Sequence, residues 1–277
     1  MTWPLLLAGA LDRGAFARAC GLEPDARQAM LLRSRARRLA VCTSRQWGKS
    51  TTASVLGAAD AYYGAPLTLI VSPTQRQSDE TFAKLQRYLA AALEGESVAT
   101  VQREGAPAAV HERRVGAGRR VTAAELADEW KVRSLVLRNG ARVVSLPGAP
   151  ENIRGFSAAS RVIVDEASFV VEALFAAVRP MLLVSRGSLV LLSTPNGKQG
   201  EFYRVMTSGD DAWERHRVTW RENPRIDAAD VEQDRRELPA WLFAQEYECE
   251  FTETLGAVFQ ARDIEAAVDE REAAWAV

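Results

Sequence analysis

The chain has 277 residues, 47% of them hydrophobic and 26% charged, with a formal net charge of -1. That composition supports a folded core in one large domain or two modest ones, and it excludes a bulk electrostatic attraction to nucleic acid, so any such binding needs a local patch. Three cysteines (Cys20, Cys42, Cys249) stand far apart without C-x-x-C spacing, and His111 and His216 are the only histidines, a set that reads as reduced thiols and argues against zinc.

The opening "MTWPLLLAGALDRG" has a short apolar run with no Lys or Arg before it and Asp12 soon after. It is a poor signal peptide, and no apolar run in the sequence approaches the length of a membrane span. Residues 24–37 are predicted as a helix: Pro24 and Asp25 suit its start, and Arg33, Arg35, Arg37 and Arg38 crowd its end, where basic side chains favour the helix dipole. Within it, the amide of Gln28 can both donate and accept, matching an adenine edge; an ordinary surface glutamine is the alternative.

"RLAVCT" (38–43) is a short buried strand that runs into "SRQWGKS", and "STTASVLGAADAYYG" continues as a helix. Strand, turn and helix form the context expected of a phosphate-binding loop of the pattern G-x-x-x-x-G-K-[ST]. Here Thr43 stands where the first glycine is expected. In such a loop Lys49 reaches the β- and γ-phosphates and the Ser50 hydroxyl holds Mg²⁺. A chance Gly-Lys-Ser at a helix start reads the same in isolation.

"LTLIVS" (67–72) is a second buried strand, and "PTQRQSDETFAKLQRYLAAAL" follows as a helix. Residues 94–130 are rich in Gly, Ala and charge with little periodicity, and are predicted to be irregular. "SLVLRNGARVVSLP" (134–147) is a hairpin turning at Asn139-Gly140. "RVIVDEASFV" (161–170) begins as a strand and reaches Asp165 and Glu166; "GSLVLLSTPNG" (187–197) is another strand ending in a polar turn; "WERHRVTW" (213–220) is a last strand, and "DAADVEQDRRELPAWLFAQEYECEF" is a charged helical region. Apolar strands alternating with helices predict an α/β fold with a mainly parallel sheet covered on both faces.

The acids gain meaning from the loop upstream. An apolar strand ending in an aspartate beside bound phosphates holds the metal, and an adjacent glutamate activates water. Asp165 and Glu166 have that arrangement, although acids capping the next helix would look alike. Ser193, Thr194 and Pro195 end a neighbouring strand, where a polar group can sense the γ-phosphate; a plain Pro-Asn-Gly turn is the alternative. Loop and acids together predict ATP hydrolysis with Mg²⁺.

In this order, "PDARQ", "SRQWGKST", "IRGFSAASRVIVDEA", "LLSTPNG" and "FAQEYECEF" resemble the N-terminal packaging ATPase domain of the large terminase subunit of tailed phages, over roughly residues 20–255. The resemblance implies a P-loop NTPase of the RecA/ASCE-like type, with a mainly parallel central sheet flanked by helices and an added β-hairpin. It makes Thr43 and Arg45 family features, because large terminases commonly lack the first loop glycine and carry an arginine in the loop. Thr43, Ser44, Arg45, Gln46, Trp47, Gly48, Lys49, Ser50 and Thr51 would then surround ATP, with Arg45 near the γ-phosphate; Trp47 either packs or faces the adenosine, and packing is preferred. Arg154, twelve residues before Glu166, is either an arginine finger for a neighbouring subunit or a structural salt-bridge partner.

The resemblance also implies that Ser193, Thr194 and Pro195 couple hydrolysis to movement. Gln75 and Arg76 face DNA, a subunit interface or only solvent. Arg113, Arg114, Arg119 and Arg120 either grip DNA phosphates or belong to a solvated loop. The implied activity is an ATP-driven motor that translocates double-stranded DNA into a procapsid. Its partners are DNA, a portal protein, a small terminase subunit and other copies in a ring, in the cytoplasm of a bacterial host and with no membrane.

Residues 1–23 are read as an N-terminal segment, 24–255 as the ATPase domain with a helical part from about 221, and 256–277 as the entrance to a nuclease domain that does not follow. Nuclease activity is therefore not expected: Asp263, Glu265, Asp269 and Glu270 read as a solvated acidic helix rather than a two-metal cluster. A helicase-like or DNA-repair ATPase is the rival enzyme reading, and a nucleotide-gated DNA-binding module is the rival from outside catalysis.

Overall fold

The computed structural model describes residues 8–94, 112–115, 119–122 and 127–252. In chain order its elements are α1 (Arg13–Ala19), α2 (Ala26–Arg33), β1 (Arg38–Thr43), α3 (Lys49–Tyr62), β2 (Leu67–Ser72), α4 (Gln75–Glu94), β3 (Glu112–Val115) and β4 (Arg119–Thr122). There follow β5 (Ala127–Trp130), β6 (Ser134–Leu137), β7 (Arg142–Pro147), α5 (Pro150–Ile153), β8 (Arg161–Asp165) and α6 (Glu172–Ser185). Last come β9 (Ser188–Ser193), α7 (Gly200–Thr207), β10 (Glu214–Val218), α8 (Ala228–Glu237) and α9 (Ala240–Glu246).

Eight strands form one sheet in the order β10-β1-β9-β8-β2-β7-β6-β5. Every pairing from β10 to β7 is parallel, while β6 and β5 add on antiparallel. The antiparallel addition is the Asn-Gly hairpin anticipated from sequence, with Gly140 at φ 84°, a conformation that costs a glycine little.

Helices cover both faces of the parallel part, so its strands are apolar on both sides. Alternate residues divide between two cores. On one side Val41, Ile163, Val190 and Leu192 pack with Phe16, Trp47, Leu56, Phe82 and Leu89. On the other, Ala40, Cys42, Val162, Val164, Leu189 and Leu191 pack with Leu174, Phe175, Val178, Phe202 and Cys249. Because β1, β9 and β8 are adjacent and parallel, their carboxyl ends meet at one edge of the sheet. The Gly-Lys-Ser turn, Ser193 and the Asp165-Glu166 pair follow those three ends.

The helix expected over 24–37 spans only Ala26–Arg33, and the expectation for 94–130 changes as well. The stretch 94–130 is not irregular throughout: β3 and β4 form a two-stranded antiparallel sheet, and β5 joins the main sheet. Val115, Val121 and Thr122 carry the strand tendency, but paired arginines beside them leave no apolar alternation to mark a strand. As expected, the strand that begins at Arg161 ends at the acids, with Asp165, and the chain then turns through a 3-10 segment, Ala167–Phe169. The terminal helical region is split into α8 and α9 at Leu238-Pro239, since Pro239 cannot continue a helix. Residues 253–277, where the acidic helix and the nuclease entrance are expected, lie outside the described residues.

The segment before residue 24 is not separate from the core. Phe16, Ala17 and Cys20 are buried in it, and Arg13 on α1 meets Asp60 of α3 at 2.6 Å. Arg161 at the start of β8 pairs with the other oxygen of the same carboxylate, which also accepts from Thr68 Oγ1 at 3.5 Å. One buried acid thus ties α1, α3 and β8 together. Replacing Asp60 by alanine leaves two half-buried guanidinium groups without a counter-charge and should cost about 3–5 kcal/mol of stability, read as a lower urea midpoint. Arg33→Ala, which breaks only an exposed pair with Asp12, should cost about 1 kcal/mol or less.

Candidate nucleotide-binding site

β1 delivers Thr43 to the sheet edge, and the chain turns through Ser44–Gly48 into α3. Thr43 is buried and its hydroxyl donates to the Ser44 carbonyl at 3.1 Å. Its backbone is not at positive φ; within the loop only Gln46 (φ 57°) and Gly48 (φ 101°) are. The absent first glycine is therefore not required by the backbone here. Gly48 is required twice over, by its φ and because a Cβ there would lie 2.8 Å from Gln28 Nε2.

The loop is braced from behind. Ser44 N donates to Val218 O at 2.9 Å and Arg45 N to Glu246 O at 3.0 Å. The Gln46 carbonyl accepts from Asn223 Nδ2 at 3.3 Å. The Trp47 carbonyl accepts from Gln28 Nε2 at 3.3 Å and from Arg225 Nη2. In a trans peptide N–H and C=O point oppositely, so holding the Gln46 and Trp47 carbonyls toward the brace turns the N–H groups of Trp47 and Gly48 away from it. Together with the start of α3, these form a cradle suited to an anion.

Trp47 is fully buried in the core, which fits a packing role. Gln28 is buried as well: its Oε1 accepts from Asp25 N at 3.1 Å in a capping box, and its Nε2 is on the loop carbonyl. In this structure Gln28 shapes the loop, and is not a surface residue.

Lys49, in the first turn of α3, is only 8% exposed, and its Nζ lies 3.6 Å from Glu166 Oε1. Glu166 follows β8 in the left-handed conformation, φ 56° and ψ 47°. A non-glycine residue held there stores strain, about 1–2 kcal/mol, and needs support. The support comes from the third motif: Ser168 N donates to Ser193 Oγ at 3.1 Å, and Ser168 Oγ to the Thr194 carbonyl at 2.8 Å. Pro195 is buried beside them in sequence.

Burial raises the pKa of Glu166 above the usual glutamate value; nearby Lys49 opposes this and Asp165 adds to it. Asp165 is buried, with Oδ2 accepting from Thr81 Oγ1 at 3.1 Å. Asp165 Oδ1 and Glu166 Oε2 are buried without a hydrogen-bond partner. A buried carboxylate oxygen left open suits a hard divalent cation that takes oxygen ligands and completes its shell with phosphate and water. Among the described residues no group of three or more His, Cys, Asp or Glu forms a metal-binding cluster, so Ser50 and Asp165 are the protein ligands to consider, and they fit Mg²⁺.

The remaining sequence candidates divide. Ser50 and Thr51 lie half-buried in the first turn of α3. Arg45 is at the site but its guanidinium is ion-paired with Glu246 of α9. Arg154 does not join the cluster: it ends α5, exposed, beside a groove lined by Phe156, Pro180 and Val184, and makes no side-chain hydrogen bond or ion pair among the described residues. Gln75 bonds Asp79 at 2.7 Å, and Arg76 is exposed with only a 3.9 Å approach to Glu80. Arg113, Arg114, Arg119 and Arg120 lie on the β3–β4 hairpin rather than in a loop; the register pairs Arg114 with Arg120 and Arg113 with Val121. Sequence reading missed Thr81, Asn223, Arg225 and Glu246. Their types are ordinary and their partners remote; only Glu246 falls within a stretch singled out from sequence, "FAQEYECEF", and nothing there assigns it a partner.

A family model described as terminase large subunit, T4likevirus-type, N-terminal, matches residues 41–266. Among solved structures, the large terminase ATPase domain of Thermus phage P74-26 aligns with a TM-score of 0.64 at 22% identity, over 86% of this chain and 97% of that one. An arginine-to-alanine mutant of that domain gives 0.64 at 21%, over 86% and 98%. The large terminase of a thermophilic bacteriophage, solved in complex with ADP, aligns at 0.53 and 10% identity over 78% of this chain and 49% of that one. At these identities the likeness is one of fold. No curated protein matches the chain.

A carboxyl whose pKa is raised by folding costs stability where it is ionised, and the cost disappears as pH falls below its unfolded value. Relative to Glu166→Gln, which keeps one protonation state, the parent should therefore lose stability as pH rises from about 4 to 8, as followed by thermal denaturation of both across pH.

Proposed function

The chain belongs to the terminase large subunit family, T4likevirus-type, through that family's N-terminal part, and from this premise we propose that it is the ATP-hydrolysing motor domain that drives double-stranded DNA into a viral procapsid. The observation that carries the reading is the meeting of Lys49 and Glu166 at 3.6 Å across the ends of two parallel strands, with Asp165 beside them holding one oxygen open.

Lys49 and the N–H groups of the braced loop bind the phosphates of ATP. Ser50 and Asp165 hold Mg²⁺, which when bound neutralises phosphate charge. Glu166, released from Lys49 as the lysine turns to phosphate, orients a water and takes its proton on a carboxylate oxygen. Its raised pKa makes it a stronger base than an exposed glutamate. Arg45 reaches the γ-phosphate only by leaving Glu246. Arg154, exposed and without a side-chain partner among the described residues, serves the site of a neighbouring copy. Ser193 and Thr194 couple chemistry to motion, supported by their bonds to Ser168 two residues beyond the catalytic glutamate. The products are ADP and phosphate, and residues 24–255, with α1 packed against them, form the ATPase domain.

The partners that follow from this role are DNA, a portal, a small terminase subunit and a ring of copies, in the host cytoplasm. Arg76 and the four hairpin arginines contribute phosphate contacts. No helix among the described residues is long and apolar enough to cross a membrane. Cleavage of DNA is not part of the activity proposed.

Steady-state hydrolysis measured against protein concentration tests the scheme. Specific activity should rise with concentration; Lys49→Ala and Glu166→Gln should abolish turnover; Arg154→Ala should lower it about a thousandfold, as loss of an arginine finger does. Activity that is flat with concentration and indifferent to Arg154 would leave a monomeric ATPase with a structural Arg154.

A further inference from the structure

We propose that Thr81 is a positioning residue for the metal: its hydroxyl sets the orientation of the Asp165 carboxylate, and through Ser54 its backbone fixes that carboxylate relative to Ser50. The inference rests on the nucleotide reading above and assigns a role to residues outside the recognised motifs.

Thr81 lies on α4, on no strand end and in no loop, and is 2% exposed. Its Oγ1 donates to Asp165 Oδ2 at 3.1 Å, while Asp165 Oδ1 has no partner. The terminal torsion of an aspartate is broad and nearly two-fold. In a buried place a single donor on one oxygen therefore decides which oxygen is spent and which stays open. Ser54 Oγ lies 2.9 Å from the carbonyl of the same Thr81 and 2.6 Å from the Ser50 carbonyl, so its one proton is shared between the two in a three-centre bond. Ser54 is one turn along α3 from Ser50, so the two residues read as metal ligands are joined through four consecutive groups: Ser50 carbonyl, Ser54 hydroxyl, Thr81 and Asp165.

α4 is itself anchored to the sheet. Ser78 Oγ lies 2.6 Å from Ser145 Oγ and donates to the Leu146 carbonyl at 3.0 Å, both on β7. A hydroxyl on a helix tied to the sheet is a fixed reference, as outer-sphere partners of metal ligands need to be. If Thr81 merely satisfied a buried acid, only its presence would matter. The link to Ser50 through the Thr81 backbone gives it a metric role.

The test uses the full chain, a fluorescent ADP analogue and Mg²⁺, with Mn²⁺ binding followed by electron paramagnetic resonance as a readout independent of turnover. Thr81→Val keeps the shape and removes the hydroxyl; Thr81→Ser restores it. The valine variant should bind the metal about 10- to 100-fold more weakly in the presence of ADP. It should keep the parent's metal-free ADP affinity, and the serine variant should recover metal binding. Parent-like metal affinity in Thr81→Val overturns the proposal, as does an equal loss of ADP affinity with and without metal, which marks a structural residue. If the valine variant does not fold, Ser54→Ala carries the test: weaker metal binding with unchanged metal-free ADP binding supports the link, and unchanged metal binding overturns it. A parent protein whose ADP affinity ignores Mg²⁺ overturns the nucleotide reading itself, and this inference with it.

Discussion

One lysine and one glutamate, both largely out of water and brought together at the ends of parallel strands, set the requirements for the rest of the molecule. Each of the two is costly to bury alone. Their approach at 3.6 Å balances the charges only while both backbones are held, Lys49 by the turn into α3 and Glu166 by a left-handed residue after β8. The parallel sheet exists in this form to bring those ends side by side, and β9 lies between them with Ser193 at its tip. The strain at Glu166 is balanced by the hydroxyls of Ser168 and Ser193. A small change in the third motif is therefore felt first at the glutamate and only afterwards in the wider fold.

The same logic explains the shape of the loop. Its carbonyls are occupied by Asn223, Gln28 and Arg225, and two of its N–H groups by Val218 and Glu246. The helical region at the end of the described chain is therefore structural for the loop, as well as a neighbour of it. A cavity of about 440 Å³ lies between that region and the loop, lined by Arg45, Gln46, Val231, Leu242 and Tyr247 among others. Arg45 forms one wall and, through Glu246, one end of a mechanical connection from α9 to the phosphate cradle.

Much of this fold was legible from sequence where the signal is local. β1 and β2 are apolar runs between turns and fall at 38–43 and 67–72 as expected, because strands buried on both faces leave no ambiguity of register with solvent. The Asn139-Gly140 hairpin is set by turn chemistry alone. The glycine-lysine-serine turn and the two acids were visible as types in order. What was hidden is relational. Gln28 reads as an adenine partner or a surface residue because nothing in "PDARQ" tells that Trp47 will place a carbonyl over it, although Asp25 and Gln28 carry the spacing of a capping box. The strands β3 and β4 were missed since their arginines erase the usual apolar alternation. Thr81 and Arg225 are invisible because hydrogen bonds that span 84 and 178 residues leave no trace in a window of sequence.

Those long spans bear on how the protein comes into being. The loop formed by residues 43–48 is closed by contacts to residues 174 to 201 positions later in the chain. During synthesis the first strands and helices emerge and can pair long before the segment around 218–249 exists. The local half of the phosphate cradle thus appears early, and its rear wall arrives near the end of the described chain. Contacts of such high sequence separation form late and slowly. A nascent or prematurely terminated chain therefore carries the motif without the brace that shapes its loop, and the loop reaches its final form only as the last helices dock.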